Sequence, residues 1–228
     1  MPIQDPDFAC PLFLNLKDRL VVVVGAGVVG RRKLAGLLQA GARVRLIDPQ
    51  VGEDPCYGSG VETLARTFKS GDLADSVLVF ACSSSREVNR QVVAEARRMK
   101  IFCMSASEPE HGDFISPAVL RRGSLVLAVT TGGGSPVMAA HIRDRLAEQV
   151  PDSWGVAVEI IAAVRQKWLT DQVEDKYNQQ VLRSFWETQL VPAVEQGDAR
   201  EIDRLLQETF GEAFSLARLN IQVPEGMS

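Results

Sequence analysis

Three glycines and one aspartate carry the first chemical signal in this chain. Gly25, Gly27 and Gly30 fall in the spacing G-x-G-x-x-G within Gly25-Ala26-Gly27-Val28-Val29-Gly30, and Asp48 follows about 20 positions on. Each glycine has a physical task if the turn holds a dinucleotide. Gly25 permits a tight turn, Gly27 lets the backbone approach a pyrophosphate, and Gly30 allows a helix to pack closely on a strand. A helix beginning there turns free N–H groups and a positive dipole end toward phosphate. Asp48 can accept hydrogen bonds from a ribose 2′-hydroxyl and would repel a 2′-phosphate, which favours NAD over NADP; Arg43 and Arg45 beside it weaken that preference.

The spacing means little without elements to position it, since a glycine-rich strand–helix turn can also bind nothing. Here the context agrees. Leu20 to Val24 is a short, mostly β-branched apolar run, as expected of a strand buried on both faces. Val29, Leu34, Leu37 and Leu38 then recur at helical spacing, Gly41 suits a C-cap, and a second run, Val44 to Ile47, ends in Asp48. Further along, Val61–Leu64, Val77–Ala81 and Ile101–Met104 read as strands, and Arg86 to Met99 as a helix with Val88, Val92, Val93 and Ala96 inward. Cys82-Ser83-Ser84-Ser85 places small polar residues at a strand's carboxyl end, where open α/β sheets bind ligands. The alternation predicts an α/β fold of the Rossmann type, a doubly wound parallel sheet.

The rhythm changes after residue 105. Phe114–Leu120, a turn at Arg121-Arg122-Gly123-Ser124, and Leu125–Val129 give a hairpin signal. Thr130-Thr131-Gly132-Gly133-Gly134-Ser135-Pro136 precedes a helix from about Val137 to Gln149; its glycines and hydroxyls suit either a carboxylate or phosphate site or a flexible connector with a good cap. From Pro151 the chain reads as helical. Trp154, Val158, Ile161 and Trp168 form one apolar face, and Val181, Leu182, Phe185, Trp186 and Leu190 another. Asp198 and Glu201 stand at capping-box spacing before Ile202, Leu205, Leu206 and Phe210. Three parts result: a dinucleotide-binding domain over 1–113, a small α+β segment over 114–150, and a helical domain over 151–228.

Composition excludes several classes. The chain has 228 residues, 46% hydrophobic and 24% charged, with a net charge of −4, so nothing points to nucleic acid or an anionic membrane surface. No apolar run approaches a transmembrane span and no signal peptide is evident, so a cytoplasmic location is expected. Cys10, Cys56, Cys82 and Cys103 are too scattered for a disulfide framework, and with His111 and His141 they predict no metal site.

Three longer stretches carry a family resemblance: PLFLNLKDRLVVVVGAGVVGRRKLAGLLQAGARV, ACSSSREVNRQV, and FISPAVLRRGSLVLAVTTGGGSPVMAAHIRDRL. The chain resembles the NAD-dependent precorrin-2 dehydrogenases of sirohaem biosynthesis, including the amino-terminal half of sirohaem synthases. The resemblance implies a homodimer joined through residues 114–150, NAD as cofactor, and oxidation of the tetrapyrrole precorrin-2 to sirohydrochlorin. By position, Gly25, Gly27, Val28, Val29 and Gly30 meet the cofactor phosphates, Asp48, Pro49 and Gln50 its adenosine side, and Ala81, Cys82 and Ser83 the nicotinamide half. Thr130, Thr131, Gly132, Gly133 and Ser135 line the tetrapyrrole site. Arg121, Arg122, Arg143 and Arg145 are candidates to pair with its carboxylates. In bifunctional members an acid–base aspartate follows the strand matching Ile101–Met104; here Ser107 stands at that place, with Glu108, Glu110, His111 and Asp113 as the nearby substitutes. A serine is a poor base at neutral pH, so a dehydrogenase with weak or absent metal chelation is expected, a separate chelatase working beside it. Two alternatives remain: a bifunctional dehydrogenase/ferrochelatase, and a regulatory NAD-sensing module without catalysis.

Overall fold

The computed structural model describes residues 10–52, 57–58, 60–170 and 179–223. Cys56 lies outside the described residues. Contacts divide the chain into two units, the first reaching Ser116 and taking in Thr130–Pro136, the second holding Pro117–Val129 and the chain from Val137.

The first unit is a five-stranded parallel sheet. Strand β1 (Leu20–Val24) leads into helix α1 (Val28–Gln39), then β2 (Arg43–Ile47), β3 (Val61–Leu64), β4 (Leu78–Ala81), α2 (Arg86–Met99) and β5 (Phe102–Ser105). The spatial order β3-β2-β1-β4-β5 puts the topological switch between β1 and β4, where doubly wound sheets bind ligands. All five residues of β1 are buried because helices cover both faces: Val21 and Val23 pack with Leu34 and Leu37 of α1, and Val22 and Val24 with Val92, Val93 and Ala96 of α2. Helix α1 closes as expected, with Gly41 at φ +71 just past its C-cap Ala40. Val29 is exposed rather than part of its inward stripe, which begins at Gly30. Residues 66–76 form a loop that ends in a run of turns over 70–75.

The second unit begins with an antiparallel hairpin, β6 (Ala118–Arg122) and β7 (Leu125–Val129). Arg121 and Arg122 belong to the strand; the turn is only Gly123-Ser124, with Gly123 at φ +51 as a two-residue hairpin requires. Helix α3 (Pro136–Ala147) opens at its proline, and α4 (Ser153–Thr170) follows. The buried stripe of α4 is Ser153, Ala157, Ile160, Val164 and Trp168, one position round from the expected face, so Trp154, Val158 and Ile161 are only half-buried. The register is set by Gly155, where a Cβ would stand 2.3 Å from the Arg122 carbonyl oxygen, so the helix must turn its glycine to the hairpin.

A helical run then comprises α5 (Gln179–Phe185), a π-helical turn (Trp186–Leu190) and α6 (Val191–Glu195). Val181 of α5 is exposed, whereas Leu182, Phe185 and Leu190 are buried. Asp198 caps α7 (Ala199–Phe210), accepting from the N–H groups of Arg200 and Glu201. Half of the expected capping box forms, because the Glu201 carboxylate pairs with Arg204 instead. The short α8 (Leu216–Leu219) is the last element among the described residues. Trp168, Phe185, Phe210 and Phe214 meet edge to face or tilted in this core, with centroids 4.9–6.3 Å apart.

Candidate functional site

The carboxyl ends of β1, β2 and β4 are knitted together by backbone bonds: Gly25 N–H donates to the Ile47 carbonyl at 2.8 Å and Cys82 N–H to the Val24 carbonyl at 2.7 Å. Every residue expected to meet a dinucleotide (Gly25, Gly27, Val28, Val29, Gly30, Asp48, Pro49, Gln50, Ala81, Cys82, Ser83) is therefore at or just beyond one end of the sheet.

The three glycines have different reasons to be there. Gly25 adopts φ +104, and a Cβ on it would lie 2.4 Å from the Cys82 carbonyl oxygen. At Gly30 a Cβ would lie 1.9 Å from the Gly25 carbonyl oxygen. Gly27 is unlike both. Its backbone is extended, φ −68 and ψ −175, which any residue adopts, and a Cβ would meet nothing within 4 Å. Among the described residues nothing requires a glycine at this position. It caps α1 without a side-chain bond or an acidic residue in the first turn, so the helix end is open to an anion.

Asp48 braces this turn. Its Oδ2 accepts from Ala26 N–H at 2.7 Å and its Oδ1 from Gln50 N–H at 2.7 Å. Arg31 donates to the Ala26 carbonyl at 2.8 Å from the other side. Arg45 is engaged with Glu62 at 2.8 Å and with the Asp72 carbonyl at 2.9 Å, while Arg66 forms a fork with the Asp72 carboxylate at 2.7 and 2.8 Å. That fork holds the Asp72 carboxyl below the usual range. Arg43 opens β2, at the strand end opposite Asp48.

On the β4 side, Cys82 is a buried thiol that burial pushes up to about 11, so it lines the site as a neutral apolar group. Lys33, half-buried on α1, is held below the usual lysine range, chiefly by burial. Ser83 is gripped by Asn89 of α2: its N–H donates to Asn89 Oδ1 and its carbonyl accepts from Nδ2, both at 2.9 Å. The same Nδ2 donates to Ser107 Oγ at 3.0 Å.

Of the candidate acid–base residues, Ser107, His111 and Asp113 have separate surroundings. Ser107 is half-buried on Asn89. His111 is exposed at the end of a 3-10 turn (Pro109–His111), its Nδ1 3.9 Å from Glu108. Asp113 is bound to the backbone of Cys103, accepting its N–H on Oδ2 at 2.9 Å and donating to its carbonyl at 2.7 Å. Glu108 forms a fork with Arg90 at 2.7 and 2.9 Å, which lowers its carboxyl. Among the described residues Glu108, Glu110 and His111 bring ligand atoms within 4.8 Å of one another, a grouping that residue counts alone did not suggest. Glu108 in it is already neutralised by Arg90.

The glycine-rich stretch after β7 is a built loop rather than a slack connector. Thr131 Oγ1 accepts from Ser135 N–H at 2.9 Å and donates to its carbonyl at 3.1 Å, Gly132 N–H donates to Thr130 Oγ1 at 3.2 Å, and Gly132 and Gly133 take φ +65 and +88. Of the candidate arginines, Arg122 holds the Val150 carbonyl and Asp152 at 3.0 Å, Arg143 holds Asp144, and Arg145 holds Glu148.

Residues 12–118 match the family model described as "Putative NAD(P)-binding", and residues 122–149 the one described as "Sirohaem biosynthesis protein central". The two matches lie in succession along the chain, which is similar over most of its length to siroheme synthases. These include a siroheme synthase of Nitrosomonas europaea, 34% identical over 185 residues (79% of this chain, 38% of that protein). Siroheme synthase 3 of Aeromonas hydrophila is 30% identical, covering 89% of this chain and 44% of that protein. The siroheme synthase of Pseudomonas fluorescens is 33% identical, covering 87% and 43%. The chain thus spans about two fifths of the length of these curated relatives. A solved structure named SirC, precorrin-2 dehydrogenase, shares the fold with a TM-score of 0.68 at 22% identity, covering 88% of this chain and 98% of that one.

The part of the site that sequence reasoning missed is Asn89. A signal was present, for Asn89, Val92, Val93 and Ala96 follow the i, i+3, i+4, i+7 stripe of α2, and a polar residue on a buried stripe must have partners.

Proposed function

We propose that this protein oxidises precorrin-2 to sirohydrochlorin with NAD as the hydride acceptor. The observation that carries the reading is Gly27, whose missing side chain leaves a cradle at the uncapped end of α1 in a chain similar to siroheme synthases. A pyrophosphate fits there against backbone N–H groups. NAD rather than NADP is supported by the Asp48 carboxylate at the end of β2 and by the engagement of Arg45 and Arg66 with acidic partners, which leaves neither guanidinium for a 2′-phosphate.

When bound, NAD⁺ supplies the hydride acceptor, and the macrocycle gives up a proton with the hydride. The chain's work is positioning. Gly25, Gly27, Val28, Val29 and Gly30 hold the phosphates, Asp48, Pro49 and Gln50 the adenosine side, and Ala81, Cys82 and Ser83 border the nicotinamide half with a neutral wall. The Thr130–Ser135 loop, with its hydroxyls and turned glycines, receives the tetrapyrrole, whose carboxylates suit such donors. Ser107 offers no base, and water takes the proton. Chelation needs a group to accept pyrrole protons as metal enters, and it is therefore weak or absent, with a separate chelatase completing the sequence. His111 and Asp113 are the remaining acid–base candidates. The working form is a cytoplasmic homodimer, joined through the 114–150 segment between the 1–113 and 151–228 domains.

Anaerobic incubation of precorrin-2 with NAD⁺, with and without Fe²⁺ or Co²⁺, tests this by absorbance. NADH and sirohydrochlorin appear together, and the product stays metal-free at the rate of a protein-free control. Protein-dependent metal insertion points instead to the bifunctional reading, through the Glu108–Glu110–His111 grouping. NAD binding without turnover sinks the enzyme and leaves a sensing module.

A further inference from the structure

We propose that Asn89 is the positioning residue of the dinucleotide site, holding the Cys82–Ser83 backbone in the place against which the glycine turn is built. This rests on the NAD-dependent reading above.

Asn89 is completely buried on α2, with no exposed surface. An amide removed from water needs its donors and acceptor filled, and here each is. The Ser83 N–H can only donate and the Ser83 carbonyl can only accept, so these two bonds fix which end of the amide is oxygen and which is nitrogen. The second Nδ2 proton is then committed to Ser107 Oγ, 18 residues along the chain, so the Ser107 hydroxyl accepts there and turns its own proton elsewhere.

The grip on Ser83 reaches the phosphate turn directly. The Cys82 carbonyl oxygen and Ser83 nitrogen are the atoms that a Cβ on Gly25 would meet, at 2.4 and 2.6 Å. Gly25 is thus packed against the segment that Asn89 holds, and Asp48 holds the other side of the same turn through Ala26. A shift of Ser83 moves the surface on which Gly25 rests, together with the nicotinamide-side wall. Asn89 itself is completely buried. It acts through Ser83.

The test compares wild-type protein with Asn89→Ala and Asn89→Asp, measuring NAD⁺ affinity by calorimetry from pH 8 to pH 5.5 and the thermal midpoint at each pH. Asn89→Ala weakens NAD⁺ about tenfold at every pH, the scale of one to two lost hydrogen bonds. Asn89→Asp is as weak at pH 8, where a carboxylate faces the Ser83 carbonyl and has no proton to give. It regains affinity as pH falls, because a protonated carboxyl accepts from the Ser83 N–H and donates to its carbonyl. Burial raises such an acid above its usual value near 3.9, bringing the change into the measured window. The charged groups of α2 and of the loop that carries Ser107, namely Arg86, Arg90, Glu108 and His111, and Lys33 beside Cys82, are the same in all three proteins, so comparison with wild type isolates position 89.

A role confined to folding lowers the midpoint and leaves the affinity of the folded protein unchanged. Equal affinity in Asn89→Ala and wild type overturns the proposal, as does an Asn89→Asp curve parallel to wild type. If Asn89→Ala does not fold, the Asn89→Asp curve decides alone. Wild-type protein that binds NAD⁺ but leaves precorrin-2 untouched removes the proposed activity, with Asn89 still judged by binding. Wild-type protein that binds no NAD⁺ removes both.

Discussion

The carboxylate of Asp48 lies 2.7 Å from the backbone nitrogen of Ala26, inside the very turn that the glycines define. The residue usually assigned to the ribose is therefore also a brace for the phosphate loop. Each Asp48 oxygen keeps a further lone pair for a ribose hydroxyl. Asp48→Ala should weaken NAD⁺ binding more than a single ribose contact explains, by about 30-fold or more, and lower stability by about 1–3 kcal/mol through the orphaned Ala26 and Gln50 amides. Asp48→Asn keeps an acceptor and loses the charge, so the ratio of NAD⁺ to NADP⁺ affinity should fall. Titration of both nucleotides and a denaturant melt check this; an unchanged ratio rules out the charge as the selector.

Gly27 and Gly25 should separate binding from folding. Gly27→Ala meets no protein atom within 4 Å and a backbone any residue adopts, so its melting point should equal or slightly exceed wild type. Its NAD⁺ affinity should drop more than about tenfold as the methyl group fills the cradle. Gly25→Ala, at φ +104 and against the Cys82 carbonyl, should instead lose stability by several kcal/mol, roughly the sum of a strained backbone and a forced clash. A Gly27→Ala protein that binds NAD⁺ normally would mean that the cradle holds no phosphate.

Acid sensitivity should centre on Glu95. Arg98 foremost, with Ser70 and the Gly71 N–H, holds its carboxyl down to about 2 from an ordinary value of 4.5. A depressed carboxyl contributes stability that is fully present above the unfolded value and is lost as pH falls through the folded one. The melting point of Glu95→Gln should therefore lie below wild type at pH 7, with the gap closing between about pH 4.5 and pH 2. A gap independent of pH would assign the loss to packing instead.

Ser107→Asp should create the missing base. The Asn89 Nδ2 that now donates to Ser107 can donate equally to a carboxylate. Sirohydrochlorin supplied with Co²⁺ should then be metallated above the protein-free rate, while NADH formation changes by less than about fivefold, since hydride transfer depends on positioning. Metallation at the wild-type rate would show that this place alone does not confer chelation.

Much of this was open to reading in the chain. The helix expected over Arg86–Met99 has those bounds in the structure, and the β-branched runs before Gly25 and Asp48 are the buried parallel strands their composition predicts. The sequence predicts a strand over Phe114–Leu120, whereas β6 starts only at Ala118, after Pro117, which has no N–H for a ladder. The stripe on α4 went astray because bulk pointed to Trp154, whereas the closest approach is at Gly155, a residue with no side chain to announce it. The bonds of Asn89 and Asp48 were hidden for a different reason: each joins residues brought close only by strand order, which local periodicity does not encode.

Asp113 has a consequence for the company the protein keeps. Strand β5 ends the sheet, and an unpaired strand is an invitation to another chain. Asp113 answers both halves of it at Cys103, offering an amide proton to the carbonyl and a carboxylate oxygen to the N–H. One side chain and one peptide group thus imitate a sixth strand at this point of the sheet, and a foreign strand arriving there finds the pairing already taken.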